Sequence, residues 1–176
     1  METLEAIGKR ASLKTHLSAR QVEQEKITKI LDAARLAPSA RNRQPWRFIV
    51  VKDKDVIETL ASKAFSEANL VMREAPVIIV ACADPSDAVF DVGLAVENMI
   101  LAATDLGLVT HLMGGLDGDE LKNILAIPRE VRFVIATPLA YPAEGSYEEA
   151  AQERLSQRTR KDLQELVYSN AWGRPF

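Results

Sequence analysis

Polar side chains that could hold a planar ligand are concentrated in the short stretch between Pro38 and Pro45. This stretch combines a hydroxyl, two amides and two guanidinium groups, which belong to Ser39, Arg41, Asn42, Arg43 and Gln44. Pro38 ends the preceding helical pattern, and Pro45 disfavours helix at the residue before it. The donors and acceptors are therefore held in a constrained loop, which suits a ligand with polar edges. An ordinary polar connection between a helix and a strand would have the same composition.

Basic clusters occur near both ends of the chain. The first runs from Lys9 to Lys14 and combines three cations with the hydroxyl of Ser12, a composition that would suit a phosphate group. The second, Arg158 to Lys161, precedes another helical pattern. Each cluster alone is equally typical of a solvated surface, so the residues by themselves leave both interpretations open.

The spacing of the apolar residues predicts the elements that must position these groups. Helices are predicted over residues 2–9, 22–37, 54–64, 66–73 and 87–106, over a segment capped by Asp117 or Asp119, over residues 146–158, and from about residue 162. Strands are predicted over residues 46–52, 77–83, 107–113 and 131–136. The helix over 87–106 is apolar almost all round, which predicts burial in a core or in a subunit interface. The polar helix over 146–158 carries no chemistry that we can recognise.

The sequence A-A-R-L-A-P-S-A-R-N-R-Q-P-W-R-F, residues 33–48, resembles the signature loop of the nitroreductase family. Other landmarks of that family follow in order from Arg10 to the C-terminus, among them D-x-G-x-A-x-x-N from Asp91 to Asn98 and Y-P-A-E from Tyr141 to Glu144. The resemblance implies a compact family member: one α+β domain over residues 1–176, with three layers in which helices flank a mixed, mostly antiparallel sheet. It also implies an intertwined homodimer whose tail, about residues 162–176, wraps the partner subunit.

The resemblance assigns FMN contacts residue by residue. It implies that Arg10, Ser12 and Lys14 grip the FMN phosphate. A second group of cations, Arg160 and Lys161, would return to the same phosphate, with Arg158 as the alternative to this pair. The remaining implied contacts come from the loop and from a glycine turn beside flavin N5, and comprise Pro38, Ser39, Ala40, Asn42, Gln44, Leu112, Gly114 and Gly115. The spacing of Asn69 is one residue short of the family pattern, so its contact stays open.

The resemblance also implies a reaction. Hydride passes from NAD(P)H through bound FMN to a nitroaromatic, a quinone or a similar small acceptor. The direct transfer of hydride requires no catalytic side chain. Lys14 and Arg43 are both candidates for a cation near flavin N1. Two alternatives stay open: a flavin-binding sensor without turnover, and a relative that destroys flavin or removes halogen.

Composition excludes several other classes of protein. The chain has 176 residues with 47% hydrophobic and 27% charged residues, which favours one ordinary globular domain. A net charge of -3 gives no electrostatic footprint for nucleic acid or for an anionic membrane. The apolar runs are too short to span a bilayer, and the N-terminus lacks signal-peptide character. With Cys82 as the single cysteine, we expect a cytoplasmic location. The spacing of the two histidines, His16 and His111, predicts no metal site.

Overall fold

The structure is a computed structural model that describes residues 2–14 and 16–176. The helices are α1 (Thr3–Lys9), α2 (Gln24–Arg35), α3 (Lys54–Lys63), α4 (Val89–Asp105), α5 (Gly118–Ile124), α6 (Tyr147–Ser156) and α7 (Leu163–Leu166). The strands are β1 (Trp46–Val51), β2 (Val77–Ala83) and β3 (Arg132–Leu139), and 3-10 segments span Ala40–Asn42 and Glu67–Glu74. None of the helices formed by these residues has the length and apolar character needed to cross a bilayer.

The described residues form a three-stranded antiparallel sheet in the order β1-β2-β3. Trp46 pairs with Ala83 at one end of the β1–β2 ladder, and Val77 pairs with Leu139 in the β2–β3 ladder. Every residue of the central strand β2 is buried. A strand that is covered on both faces reads as a continuous apolar run, which is why 77–83 was predictable as the centre of the sheet.

Each face of the sheet carries its own hydrophobic core. Ile78, Val80 and Cys82 point into a core that α3, α5 and α6 complete. The alternating residues of β2 point into a second core with α2 and α4, where Ile30 and Met99 are fully buried. This alternation follows from the two-residue repeat of a strand. The arrangement confirms the predicted three-layer α+β fold.

Most predicted elements are present, with informative differences at their ends. Helix α2 stops at Arg35, two residues earlier than predicted, because the chain must leave helical geometry before Pro38. Strand β3 extends through Pro138 to Leu139, which an edge strand tolerates although proline lacks an N–H. The N-cap of α3 is Asp53, whose carboxylate accepts hydrogen bonds from the N–H groups of Asp55 and Val56.

The predicted strand over 107–113 is wrong as a strand of the sheet. The segment makes isolated bridges instead: Thr110 pairs with Ser12, Val109 pairs with Ala140, and Met113 pairs with Ala136. Leu108, Val109 and Met113 are buried, whereas Leu112 is exposed. Because its backbone partners lie on two different segments, no continuous ladder forms. The short helix predicted over 66–73 is present as a 3-10 helix, Glu67–Glu74.

A polar cluster ties the start of α2, the helix that leads into the loop, to the segment after β3. The Tyr141 hydroxyl donates to the Glu23 carboxylate at 2.6 Å, and the Lys26 ammonium donates to the same hydroxyl oxygen at 2.7 Å. Arg20 pairs with Glu23 at 2.6 Å and lies over the Tyr141 ring. The hydrogen bond from Tyr141, then a backbone hydrogen bond, then Arg20, lower the pKa of Glu23 to about 2.

This pKa predicts an acid-sensitive contribution to stability. A carboxyl whose pKa falls on folding stabilises the protein fully above its unfolded value of 4.5, and the contribution disappears as the pH falls toward about 2. Substituting Glu23→Gln should therefore lower the urea midpoint near neutral pH. The difference in urea midpoint between the variant and wild type should shrink as the pH falls from 4.5 toward about 2. A difference in urea midpoint that stays constant with pH would contradict the assignment of this acid-sensitive stabilisation to Glu23.

Candidate functional site

A pair of adjoining cavities lies between the N-terminal basic segment and α6. The larger, of about 450 Å³, is lined by Ser12, Leu13, Lys14, His111, Ala150, Glu153, Arg154 and Gln157. The smaller, of about 340 Å³, is lined by Arg10, Ala11, Ser12, Arg154, Leu155, Gln157, Arg158, Thr159 and Arg160. The two share Ser12, Arg154 and Gln157, and we refer to them together as the basic cavity.

The segment after α1 presents its polar side chains to this cavity because its apolar ones are buried. Ala11 and Leu13 belong to the core on one face of the sheet. Their neighbours Ser12 and Lys14 therefore lie on the opposite side of an extended backbone. The N–H of Leu13 donates to the Thr110 carbonyl at 3.2 Å, which fixes the segment against the neighbouring chain.

Helix α6 is fixed to the same segment through a buried hydroxyl. The Tyr147 side chain is 3% exposed, and its oxygen accepts a hydrogen bond from the N–H of Ala11 at 2.9 Å. The same hydroxyl donates to the Lys9 carbonyl at 3.3 Å. A capping box between Ser146 and Glu149 starts the helix. The helix and the basic segment are therefore held as one unit.

The C-terminal basic cluster also reaches this unit. The Arg158 guanidinium donates to the Gly8 carbonyl at 2.9 Å and to the Arg10 carbonyl at 3.4 Å. Arg160 lines the smaller cavity, whereas Lys161 is exposed and lies outside its lining. Cations from opposite ends of the chain thus meet at the smaller cavity. Those from the C-terminal cluster are Arg158 and Arg160, whereas the resemblance implied Arg160 and Lys161 with Arg158 as the alternative.

The cavity cations differ from other surface cations of the chain in their partners. Lys9 pairs with Glu5 at 2.7 Å and Lys29 with Glu25 at 2.7 Å. Within residues 2–14 and 16–176, however, Arg10, Lys14 and Arg154 form no ion pair with a carboxylate, and the buried Arg10 Nε has no hydrogen-bond partner. Buried polar groups are normally satisfied. An oxygen-rich anion in the cavity would supply the missing acceptor, so these residues fit a phosphate group.

His111 lies in the same lining. Its backbone N–H donates to the Thr137 hydroxyl at 3.0 Å, and its Nδ1 is buried without a partner among the residues that the structure describes. Burial lowers the pKa of His111, and the positive charges of Lys14 and Arg154 lower it further. The imidazole is therefore neutral near neutral pH, when it offers one donor and one acceptor.

The polar loop between Pro38 and Pro45 is shaped by its own hydrogen bonds and by α4. The Ser39 hydroxyl accepts from the N–H of Gln44 at 3.0 Å, and the Asp91 carboxylate accepts from the N–H of Ala40 at 3.1 Å. Arg41, Asn42 and Gln44 all have positive φ, at 54°, 55° and 51°. Non-glycine residues in this region cluster at functional sites, because the surrounding structure must enforce them. The side chains of residues 40–44 are exposed to solvent, and Ser39 is half-buried.

The predicted site residues separate into groups within one chain. Arg10, Ser12, Lys14 and Arg160 are brought together at the basic cavity. Leu112, Gly114 and Gly115 are exposed and directly follow His111 in the chain, whereas Pro38, Ser39, Ala40, Asn42 and Gln44 lie in the loop beside α4. The loop is flanked by Ala37 and Trp46, which belong to the core on the opposite face of the sheet from Ala11 and Tyr147.

Three residues and one helix of this site were not predicted from the sequence. Arg154, His111 and Tyr147 all belong to the basic cavity or its support. Residues 146–158, in which the sequence pattern indicated no chemistry, contribute a wall of the cavity through α6. The helical spacing of Glu153, Arg154 and Gln157 was visible, but nothing in it indicated the partner segment. Asn69 is buried, and its amide donates to the Ser66 hydroxyl at 3.1 Å.

Comparison with known proteins identifies related chains. Residues 7–70 and 66–141 match the family model described as the nitroreductase family. A protein of Archaeoglobus fulgidus with the provisional name NADH dehydrogenase/NAD(P)H nitroreductase is 36% identical over 81% of this chain and 87% of its own. The crystal structure of a nitroreductase family protein from Clostridium novyi NT has a TM-score of 0.76 at 30% identity, covering 100% of this chain and 97% of its own. An oxidoreductase containing FMN shares the fold, with a TM-score of 0.82 at 22% identity over 96% of this chain and 92% of its own.

The support given by Tyr147 can be tested by removing one oxygen. Substituting Tyr147→Phe keeps the buried ring but leaves the buried N–H of Ala11 without an acceptor, which should lower the free energy of unfolding by about 1–3 kcal/mol. Substituting Tyr168→Phe is the same chemical change in the exposed tail and should stay within about 0.5 kcal/mol of wild type. Urea unfolding measures both. Equal effects of the two substitutions would contradict the proposed support.

Proposed function

The chain belongs to the nitroreductase family, and from this premise we propose that it is an FMN-dependent enzyme that transfers hydride from NAD(P)H to nitroaromatic, quinone or similar acceptors. Membership of the family supports an oxidoreductase. The FMN dependence that we propose rests on one observation. Arg10, Ser12 and Arg160, which come from opposite ends of the chain, line the same cavity. A shared anionic ligand would explain why cations from distant segments meet at one cavity, and a phosphate fits the lining.

In this proposal the phosphate of FMN binds at the basic cavity. Arg10 would donate through its unpartnered Nε, Ser12 through its hydroxyl, and Lys14 as a point charge. Arg160 would add a guanidinium from the other end of the chain. The net positive charge of the lining offsets the roughly two negative charges that a phosphate monoester carries near neutral pH.

Bound FMN would supply a ring that accepts hydride from a nicotinamide and passes two electrons to an acceptor. The contribution of this chain is to bind and orient that ring and to tune its charge. Leu112, Gly114 and Gly115 would present backbone groups along one ring edge. Lys14 or Arg43 would place a positive charge near the pyrimidine end, which favours an anionic reduced state. We assign no proton-transfer role to any side chain.

We further propose that the site is completed by a second copy of the chain. The loop is flanked by residues of one core, the basic segment carries residues of the other, and the linings of the two cavities include no residue of the loop. Large apolar side chains are also exposed: Leu4 is 82% exposed, Phe90 78% and Trp172 90%. In this proposal the partner subunit covers these side chains. A homodimer in which the loop of one subunit faces the cavity of the other would account for both observations.

The tail fits the same assembly. Ser169 and Arg174 close a turn through a backbone hydrogen bond of 2.8 Å, and the Tyr168 and Trp172 rings lie with centroids 4.8 Å apart. The tail thus has a local structure of its own, while Leu163 and Leu166 of α7 stay exposed. We propose that residues 162–176 wrap the partner subunit.

The proposed reaction predicts anaerobic reduction of the bound flavin. Protein loaded with FMN should lose its visible flavin absorbance when NADH or NADPH is added, and should regain it on addition of a nitroaromatic or a quinone. Free FMN at the same concentration is the control for reduction without the protein. Bound FMN that stays oxidised with both nicotinamides would contradict the oxidoreductase proposal and would favour a flavin-binding sensor.

The proposed assembly predicts a mass of two chains by light scattering coupled to size exclusion. Deleting residues 162–176 should shift the protein toward the monomer, because the exposed apolar side chains of the tail lose their proposed contact. Leu70→Ala, which removes an exposed apolar side chain elsewhere, should leave the dimer intact. A full-length chain that stays monomeric at high concentration would refute the assembly.

A further inference from the structure

We infer that α6 is a cofactor-retention element, in which Arg154 contacts the phosphate end of the bound cofactor and Tyr147 positions the segment opposite. The inference rests on the proposed function, because it takes the ligand of the basic cavity to be FMN. It assigns a role to a helix in which the sequence showed no chemistry. Two independent observations support it: the position of Arg154 in the lining and the way α6 is anchored.

Arg154 occupies the junction of the basic cavity. It lines both the larger and the smaller part together with Ser12, and its charge also acts on the half-buried His111. Within the described chain its guanidinium makes no hydrogen bond or ion pair. A guanidinium without partners that lines the same cavity as the Ser12 hydroxyl supplies the kind of donors that recognise a phosphate group.

The neighbouring acid does not neutralise Arg154. Glu153 also lines the larger cavity, but its Oε1 accepts a hydrogen bond from the Gln157 amide at 3.1 Å, one helical turn further on. Its negative charge nevertheless lies in the lining and would oppose a phosphate. We therefore expect Arg154 to strengthen the binding of an anionic ligand and Glu153, its neighbour in the helix, to weaken it. Substitutions at the two positions can be compared directly.

The anchoring of α6 makes the position of Arg154 fixed relative to Ser12. Tyr147 and Ala151 are only 3% and 0% exposed, and they hold one face of the helix in the core that also contains Ala11. Just beyond its other end, Arg158 donates to the carbonyl of Gly8 in α1 and to that of Arg10 in the basic segment. A cation that is held in place loses less freedom when it binds a ligand. Arg154 should therefore slow the release of the cofactor.

The experiment is a titration of apoprotein with FMN and with riboflavin, which lacks the phosphate. Arg154→Ala should weaken FMN binding by roughly tenfold to a hundredfold, the range of a charge-assisted hydrogen bond, and should leave riboflavin binding unchanged. Arg154→Lys should recover part of the loss, and Glu153→Gln should tighten FMN binding. Arg129→Ala, which removes an exposed arginine outside the cavity, is the matched control.

The outcomes separate this inference from the proposed function. Unchanged FMN affinity in Arg154→Ala would overturn the role of Arg154 and leave the FMN proposal in place. An equal loss of FMN and riboflavin binding would show a structural effect and would also overturn it. A wild-type apoprotein that takes up no FMN, while Arg10→Ala behaves identically, would overturn the proposed function and this inference with it. Loss of FMN affinity alone, with a steeper salt dependence in wild type than in Arg154→Ala, is the expected result.

Discussion

Burial of β2 on both faces is the constraint from which the arrangement of the molecule follows. A strand without a solvent face requires an apolar layer on each side, and the chain supplies α2 and α4 on one side and α3, α5 and α6 on the other. The N-terminal basic segment and α6 share the second layer. The polar loop, flanked by Ala37 and Trp46, belongs to the first. The sheet that holds the fold together therefore also separates two groups of polar residues that the family resemblance assigns to one cofactor.

The basic cavity keeps a net positive charge because several of its cations have no carboxylate partner among the described residues. Arg10, Lys14 and Arg154 have no carboxylate partner among the described residues, whereas exposed cations such as Lys9 and Lys29 do. Exposed ion pairs contribute little to stability, so their absence at the cavity costs the fold little. It leaves a concentrated positive charge on a segment held by the Tyr147 hydroxyl. The lining therefore offers unpaired positive charge to an anion.

Local chemistry made most of the fold predictable. The run of apolar residues in β2, the prolines around the loop and the Asp53 cap each determine structure through nearby atoms, and the structure follows them. Contacts between distant segments were not predictable in the same way. The side chains of α6 gave no sign that they face the N-terminal segment, and the apolar segment 107–113 gave no sign that its backbone partners lie on two different segments. That Arg158 lines the smaller cavity, while Lys161 lies outside its lining, likewise depends on contacts with a distant segment, such as the hydrogen bond to the Gly8 carbonyl.

Separation of the site by the sheet has a thermodynamic consequence if the cofactor contacts two subunits. A ligand that binds only the assembled state stabilises that state by mass action, so cofactor binding and dimerisation would strengthen each other. The exposed loop, with positive φ at Arg41, Asn42 and Gln44, would then be held by α4 of its own subunit in the shape that the partner's cavity requires. Rigid walls on both sides favour affinity, because little freedom is lost on binding. In this view α6 adds to the same balance: it extends the wall on the cavity side without altering the sheet that places the two halves.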